Sequence, residues 1–71
     1  MNVERVDDTS EPVLRAVRQL AASVFDSVER ADAWLREPNV VLNGQPPLAA
    51  IETLEGHRAV VAELKRLDYN R

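Results

Sequence analysis

The chain contains no cysteine, a single histidine and only two glycines in its 71 residues. Without cysteine, neither a disulfide framework nor a thiolate metal site can stabilise the fold. With one histidine, the three or four protein ligands of a zinc site cannot be assembled. With glycine only at Gly44 and Gly56, no glycine-rich loop for phosphate can form. We therefore expect neither a metal nor a cofactor.

Long apolar runs and an excess of positive charge are also missing. No segment approaches the roughly 20 apolar residues of a membrane-spanning helix, and the polar, acidic start from Met1 to Asp8 is unlike a signal peptide. The formal net charge is −3, whereas a domain that grips phosphates is usually basic. The composition predicts one small cytoplasmic domain that neither enters a membrane nor has nucleic acid as its main partner.

Apolar residues at three- and four-residue steps predict an all-α domain, a small compact bundle of about four helices. The predicted helices cover approximately residues 10–25, 27–36, 47–52 and 54–68. Residues 1–9 are predicted as a mobile tail, and 10–71 as the helical domain. Ser10, Ser27 and Thr53 are the expected caps of the first, second and last helices, because their side-chain oxygens accept hydrogen bonds from free amides. Pro47 opens the third helix, where no N–H donor is needed.

The connections and helix ends carry their own signals. Residues 39–45 are predicted as a loop and not as a hairpin, because prolines follow where a partner strand would be needed. Asn43 and Gly44 tolerate positive φ and mark a turn. Gly56, in the first turn of the last helix, indicates that another backbone packs close to it. Asn70 is expected to end that helix in the left-handed conformation.

Catalysis finds little support among the titratable residues. Acid–base chemistry needs a group that titrates near neutral pH within hydrogen-bond reach of its partner. His57 lies on the apolar stripe of the last helix without a carboxylate one turn away, so we interpret it as a packed or boundary residue. Trp34 is interpreted as core, and Tyr69 as either a contact to the bundle or an aromatic anchor for a partner. No catalytic residue is predicted.

The basic side of the last helix has two interpretations. Arg58, Ala62 and Lys65 share one stripe with Arg66 beside it, which is compatible with a DNA recognition helix. The alternative is a solvated face with pairs such as Glu63 with Arg66. We favour the solvated face, because the preceding loop is far longer than the turn of a helix-turn-helix.

An ordered set of motifs extends over most of the chain. It comprises Val24-Phe25-Asp26-Ser27, Ala31, Trp34-Leu35, Pro38-Asn39, Leu42-Asn43-Gly44, Pro47-Leu48, Thr53-Leu54-Glu55-Gly56, Val60, Leu64 and Tyr69. In this order and spacing, residues 13–70 resemble the toxin-binding domain of Xre/MbcA/ParS-type antitoxins. The resemblance implies a compact helical domain, not an enzyme, that binds a RES-domain toxin. Such toxins consume NAD or use it to ADP-ribosylate a target, and the antitoxin covers the NAD cleft.

The same resemblance implies where the partner binds. The matching segment is residues 58–71, and the loop 42–48 is a second candidate surface. The expected partner-binding residues are Leu42, Gly44, Pro46, Arg58, Lys65, Arg66, Tyr69, Asn70 and Arg71. Their cations would pair with acidic groups of the toxin, which affects orientation and association rate more than affinity. Charge reversal at Arg66 and Arg71 is therefore expected to slow association and to leave the fold intact.

Two departures from the family pattern bear on function. Family antitoxins usually carry an N-terminal helix-turn-helix domain, whereas only a short polar tail precedes the first predicted helix, so DNA binding by this chain is not expected. Asn70 follows the tyrosine where the family tends to have glycine.

Two alternative functions remain, a transcription-linked DNA-binding fragment and a self-associating adaptor without a toxin. In the adaptor, Val40, Val41 and Leu42 would form the dimer patch.

Overall fold

The computed structural model describes the backbone of residues 3–70 and the side chains of residues 12–70. This part of the chain is all-α and has no β-strand. Four α-helices and one 3₁₀ turn follow each other as α1 (Val3–Phe25), α2 (Val28–Arg36), the 3₁₀ turn (Val40–Leu42), α3 (Pro47–Ala50) and α4 (Leu54–Tyr69). The predicted small bundle of about four helices is confirmed.

The first helix begins earlier than its apolar pattern indicates. α1 starts at Val3, so the predicted start at Ser10 is wrong and Ser10 is an interior helical residue. Pro12 also lies inside α1, although it withholds one amide donor. An existing helix extends by one hydrogen bond per residue without a further nucleation cost, and this does not require an apolar stripe. The mobility of residues 1–9 stays a prediction, and residues 1 and 2 lie outside the described part.

The junction between α1 and α2 is built from two helix caps. Asp26 has φ 55°, and the Ser27 amide donates to the Ala22 carbonyl over 3.3 Å. This is the hydrogen bond of a Schellman motif, which satisfies a free carbonyl at the end of α1. The Ser27 hydroxyl then accepts from the Arg30 amide at 3.1 Å, so the predicted cap of α2 is confirmed. The link is short, and α2 packs against α1.

The connection from α2 to α3 is a closed turn with few free backbone groups. The Asn39 side-chain oxygen accepts from the Val41 amide at 2.9 Å, and the Asn39 amide donates to the Gln45 carbonyl at 3.1 Å. Asn43 and Gly44 have φ 62° and 85°, as the turn prediction requires. The Gly44 amide donates to the Asn39 carbonyl at 2.8 Å. The predicted loop is therefore a structured turn that packs against α4.

A short third helix positions the start of α4. Pro47 is at the first helical position as predicted, but α3 ends at Ala50 and not at residue 52, because the chain turns before α4. The Thr53 hydroxyl accepts from the Gly56 amide at 2.9 Å, which confirms the predicted cap. A Cβ atom at Gly56 would lie 1.8 Å from the Ala50 carbonyl oxygen. The close backbone approach predicted from Gly56 is thus confirmed.

The core collects small and branched apolar side chains from every element. Its buried residues are Val17, Ala21, Val24, Ala31, Leu35, Leu42, Ala50, Val60 and Leu64. Trp34 was predicted as core but is only half-buried, because it packs at the border of the core against Phe25. The two ring centroids are 5.8 Å apart, with an angle of 45° between the ring planes, which is within the usual range for aromatic pairs.

The last helix ends without a left-handed residue. Asn70 has φ −92° and ψ 7°, and its amide donates to the Arg66 carbonyl at 3.2 Å. The prediction that Asn70 ends the helix is confirmed, but the predicted left-handed conformation is wrong. The final turn closes with a helical hydrogen bond, so a reversal of the backbone is not needed to satisfy that carbonyl.

Candidate protein-binding face

One side of α4 faces solvent along its whole length. Successive helical residues are about 100° apart, so residues at steps of three and four share a side. We name this exposed side the α4 face, and it comprises Leu54, Arg58, Val61, Ala62, Lys65 and Tyr69. The buried Val60 and Leu64 lie on the opposite side, in the core. At about 1.5 Å per residue, the α4 face is about 22 Å long.

Large apolar side chains lie at both ends of this face. Leu54 is 66% exposed and Tyr69 is 89% exposed. Between them, Val61 is half-buried and Ala62 is exposed. The exposure of Tyr69 argues against the interpretation in which it holds α4 to the bundle. It favours the second interpretation, an aromatic anchor for a partner, which is a residue type enriched at binding hot spots.

The middle of the α4 face contains a shallow depression of about 330 Å³. Arg58, Val61, Ala62 and Lys65 line it together with His57, which is half-buried as expected for a boundary residue. This volume is at the lower end of the range for small-molecule pockets, and all the lining residues belong to one helix. Such a surface fits the side chains of a protein partner better than an enclosed ligand.

A buried carboxylate binds Arg66 beside the face. Glu63 is only 7% exposed, and its two oxygens accept from Arg66 Nε at 3.0 Å and Arg66 Nη2 at 2.7 Å. These hydrogen bonds hold the pKa of Glu63 below its ordinary value, against the opposing effect of burial. They also raise the pKa of Arg66. The predicted Glu63–Arg66 pair is confirmed, and the guanidinium is already bound within α4.

This pair changes one expectation. Charge reversal at Arg66 would place two carboxylates together and leave Glu63 buried without its partner, which is destabilising. We therefore no longer expect the fold to tolerate that reversal unchanged. Arg58 and Lys65 differ from Arg66, since neither makes an ion pair with another residue of the described part.

The residues predicted from the resemblance occupy different environments. Those on the α4 face are Arg58, Lys65 and Tyr69. Leu42 is 5% exposed and belongs to the core, so its side chain is not available to a partner. Gly44 is exposed and Pro46 is half-buried; both follow the 3₁₀ turn that packs against α4. The two predicted surfaces thus belong to neighbouring elements.

The end of the predicted surface is described only in part. Asn70 is exposed and directly follows Tyr69, whereas Arg71 lies outside the described residues. The sequence analysis placed Ala62 on the same stripe as Arg58 and Lys65 but did not count it among the partner-binding residues, and it missed Leu54 and Val61 as members of the face. Their three- and four-residue spacing from Arg58 was a signal that could have found them.

The 3₁₀ turn presents a smaller apolar surface than the adaptor hypothesis requires. Val40 is 93% exposed and Val41 is 59% exposed, but Leu42 is buried. The predicted dimer patch therefore loses its largest side chain, because that side chain completes the core. Self-association of the chain stays a prediction.

The chain thus folds as a small all-α domain, and its α4 face is a surface typical of protein-binding modules. A family described as the antitoxin Xre/MbcA/ParS C-terminal toxin-binding domain matches residues 20–69. The chain belongs to this family, and its match includes the last part of α1 and everything from there to the end of α4. No curated protein and no solved structure matches the chain. Within the described residues, no helix is long and apolar enough to cross a membrane.

Proposed function

We propose that this chain neutralises a RES-domain toxin in the cytoplasm by covering the cleft in which the toxin binds NAD. Family membership supports a toxin as the partner, since the matching domain is a toxin-binding domain. The α4 face is the observation that carries the proposal, because it combines exposed apolar anchors with two cations, Arg58 and Lys65, that form no ion pair within the described part of the chain. The chain acts by steric block and not as an enzyme.

The position of α4 in the bundle makes this face a rigid ligand. Val60 and Leu64 hold the opposite side of the helix in the core, so the helix is already ordered before it meets a partner. Binding then orders mainly side chains, which costs about 0.5–1.5 kcal/mol for each flexible one. An amphipathic helix that enters an apolar groove is a recurrent mode of protein recognition.

The α4 face alone is too small for a stable complex. A specific interface buries about 800 Å² on each partner, whereas a strip of about 22 Å by 10 Å covers only a few hundred Å². The chain exposes 5242 Å² in total, so neighbouring elements can supply the remainder. Gly44 and Pro46 are the best placed, because they follow the turn that packs against α4. We propose that this segment forms the second part of the interface.

Co-expression with the product of the adjacent gene tests the proposal. The assay measures NAD in the lysate with and without this chain, and gel filtration detects the complex. We expect the neighbouring protein to deplete NAD alone and this chain to prevent the loss. Tyr69→Ala should weaken the protection, while Val28→Ala, which truncates another exposed apolar residue, on α2, should not. An adjacent product that consumes no NAD, or whose NAD consumption the chain leaves unchanged, would contradict the proposal.

A further inference from the structure

Lys65 is the only lysine of the 71-residue chain, and it lies exposed at the centre of the α4 face. Arg58 precedes it by about two helical turns on the same side, roughly 10 Å along the axis. Neither residue forms an ion pair with a described residue. Positive charge is therefore unneutralised at this place, although the whole chain has a net charge of −3.

The surface between these two cations is apolar. Val61 and Ala62 line the depression that separates them, and His57 lies at its side. The acidic residues Glu55 and Asp68 lie at the borders of the face on α4, and Asp68 is already engaged in another interaction. An anion that approaches the depression thus meets one cation on each side of it and methyl groups between the two.

Such a surface selects for a particular ligand chemistry. A nucleic acid needs a series of cations that follow its phosphates, and two cations on a chain of net charge −3 do not supply this. A carboxylate side chain needs only one or two donors, and its aliphatic neighbours need apolar contact. We propose that the α4 face binds an acidic, aliphatic segment of the toxin, with an Asp or Glu carboxylate between Arg58 and Lys65. This inference rests on the proposed function, because it takes the toxin as the partner.

Exposed charges of this kind act mainly on association. Complementary charges accelerate the encounter, and their removal lowers the association rate and weakens its dependence on salt. At physiological ionic strength the screening length is about 8 Å, so the effect is local to the α4 face. A charge change elsewhere on the chain should have little influence.

The single lysine allows a direct test with the intact complex. A zero-length carbodiimide joins an amine to a carboxylate, so a cross-link from a lysine of this chain can only come from Lys65. The probe is the purified product of the adjacent gene, and mass spectrometry of the digested complex identifies the joined residues. We expect Lys65 to be joined to an Asp or Glu of the toxin. In Lys65→Arg, which keeps the positive charge but removes the reactive amine, the cross-link should be lost.

Association kinetics test the same contact independently. Arg58→Glu and Lys65→Glu should each lower the association rate at least ten-fold at low salt, and the loss should shrink as salt is added. Arg30→Glu is the control. It makes the same charge change on α2, where Arg30 is exposed and forms no ion pair with a described residue. It should change the rate less than two-fold. Far-UV circular dichroism verifies that each variant is folded.

The outcomes separate this inference from the proposed function. A Lys65 cross-link together with slow association of the two face variants supports the inference. A stable inhibitory complex without that cross-link, or with equal rates for the face variants and Arg30→Glu, overturns the inference and leaves the antitoxin function standing. No complex between the wild-type chain and the toxin overturns both.

Discussion

The contact between α3 and α4 makes Gly56→Ala a demanding test of the fold. Alanine is the better helix former by about 1 kcal/mol, so helix propensity alone predicts a more stable chain. The structure predicts the opposite. An added Cβ would lie 1.8 Å from the Ala50 carbonyl oxygen, 2.7 Å from its carbon and 3.0 Å from the Thr53 hydroxyl. Carbon and oxygen atoms normally approach only to about 3.3 Å, so the Ala50 carbonyl would have to move by about 1.5 Å.

The obstacle at Gly56 is backbone, and this determines the magnitude. The Ala50 carbonyl accepts a hydrogen bond from the Thr53 amide at 3.3 Å. It therefore cannot turn away from residue 56 without breaking this hydrogen bond, which lies in the connection between α3 and α4. Overpacking that shifts a backbone costs about 3 kcal/mol, the upper part of its usual range. After the gain in propensity, a net loss of about 2 kcal/mol remains. A domain of this size has about 4–10 kcal/mol in total.

Thermal and urea unfolding, followed by far-UV circular dichroism, measure this loss. For a domain of this length, about 2 kcal/mol lowers the Tm by about 8–16 °C. Ala62→Gly provides the matched control, because it exchanges the same two residues at an exposed position of α4 and reports propensity alone. We expect it to cost about 1 kcal/mol. A Gly56→Ala variant as stable as the wild type would refute the close contact of α3 and α4.

Three further predictions concern the Glu63–Arg66 pair, Trp34 at the border of the core and the Ser27 cap. The pKa of Glu63 in the folded chain is lower than its ordinary value of 4.5. The ionised Glu63 therefore contributes its full stabilisation above pH 4.5, and this contribution is lost as the pH falls through the lowered pKa. Glu63→Gln should therefore be less stable near neutral pH, and melts in acid should show the difference shrinking; a constant difference would contradict the pair. Trp34→Ala should cost about 2–3 kcal/mol in urea unfolding, less than a fully buried tryptophan, while Val40→Ala should stay within about 0.5 kcal/mol. Ser27→Ala should cost about 1 kcal/mol and Ser27→Gly only a few tenths; equal losses would argue against a capping role.

Local signals in the sequence predicted most of the fold. The caps at Ser27 and Thr53 and the turn at Asn43 depend on groups within a few residues, and the structure shows each of them. Gly56 also carried tertiary information, because a glycine in a first helical turn has few explanations other than close packing. The face of α4 followed in part from spacing, which placed Arg58 and Lys65 together on one side of the helix.

The errors arose where the outcome depends on long-range packing or on the continuation of an existing element. Nothing near Ser10 indicates that α1 continues through it, since helix extension needs no apolar pattern. Trp34 was expected inside, but Leu35, Val60 and Leu64 occupy fully buried positions, and the Trp34 ring packs against the border of the core. Leu42 lies in a turn beside exposed valines, and only the tertiary fold determines which of the three side chains is buried.

The hydrogen-bonded turn between α2 and α3 has a consequence for variation of the sequence. Its shape depends on Asn39, on the left-handed pair that follows and on Leu42 in the core, and not on the side chains at its apex. Val40 and Val41 are therefore released from structural constraint, and substitutions there should accumulate with little loss of stability. In evolution or design, this apex is a position at which side chains can be exchanged while the scaffold stays the same.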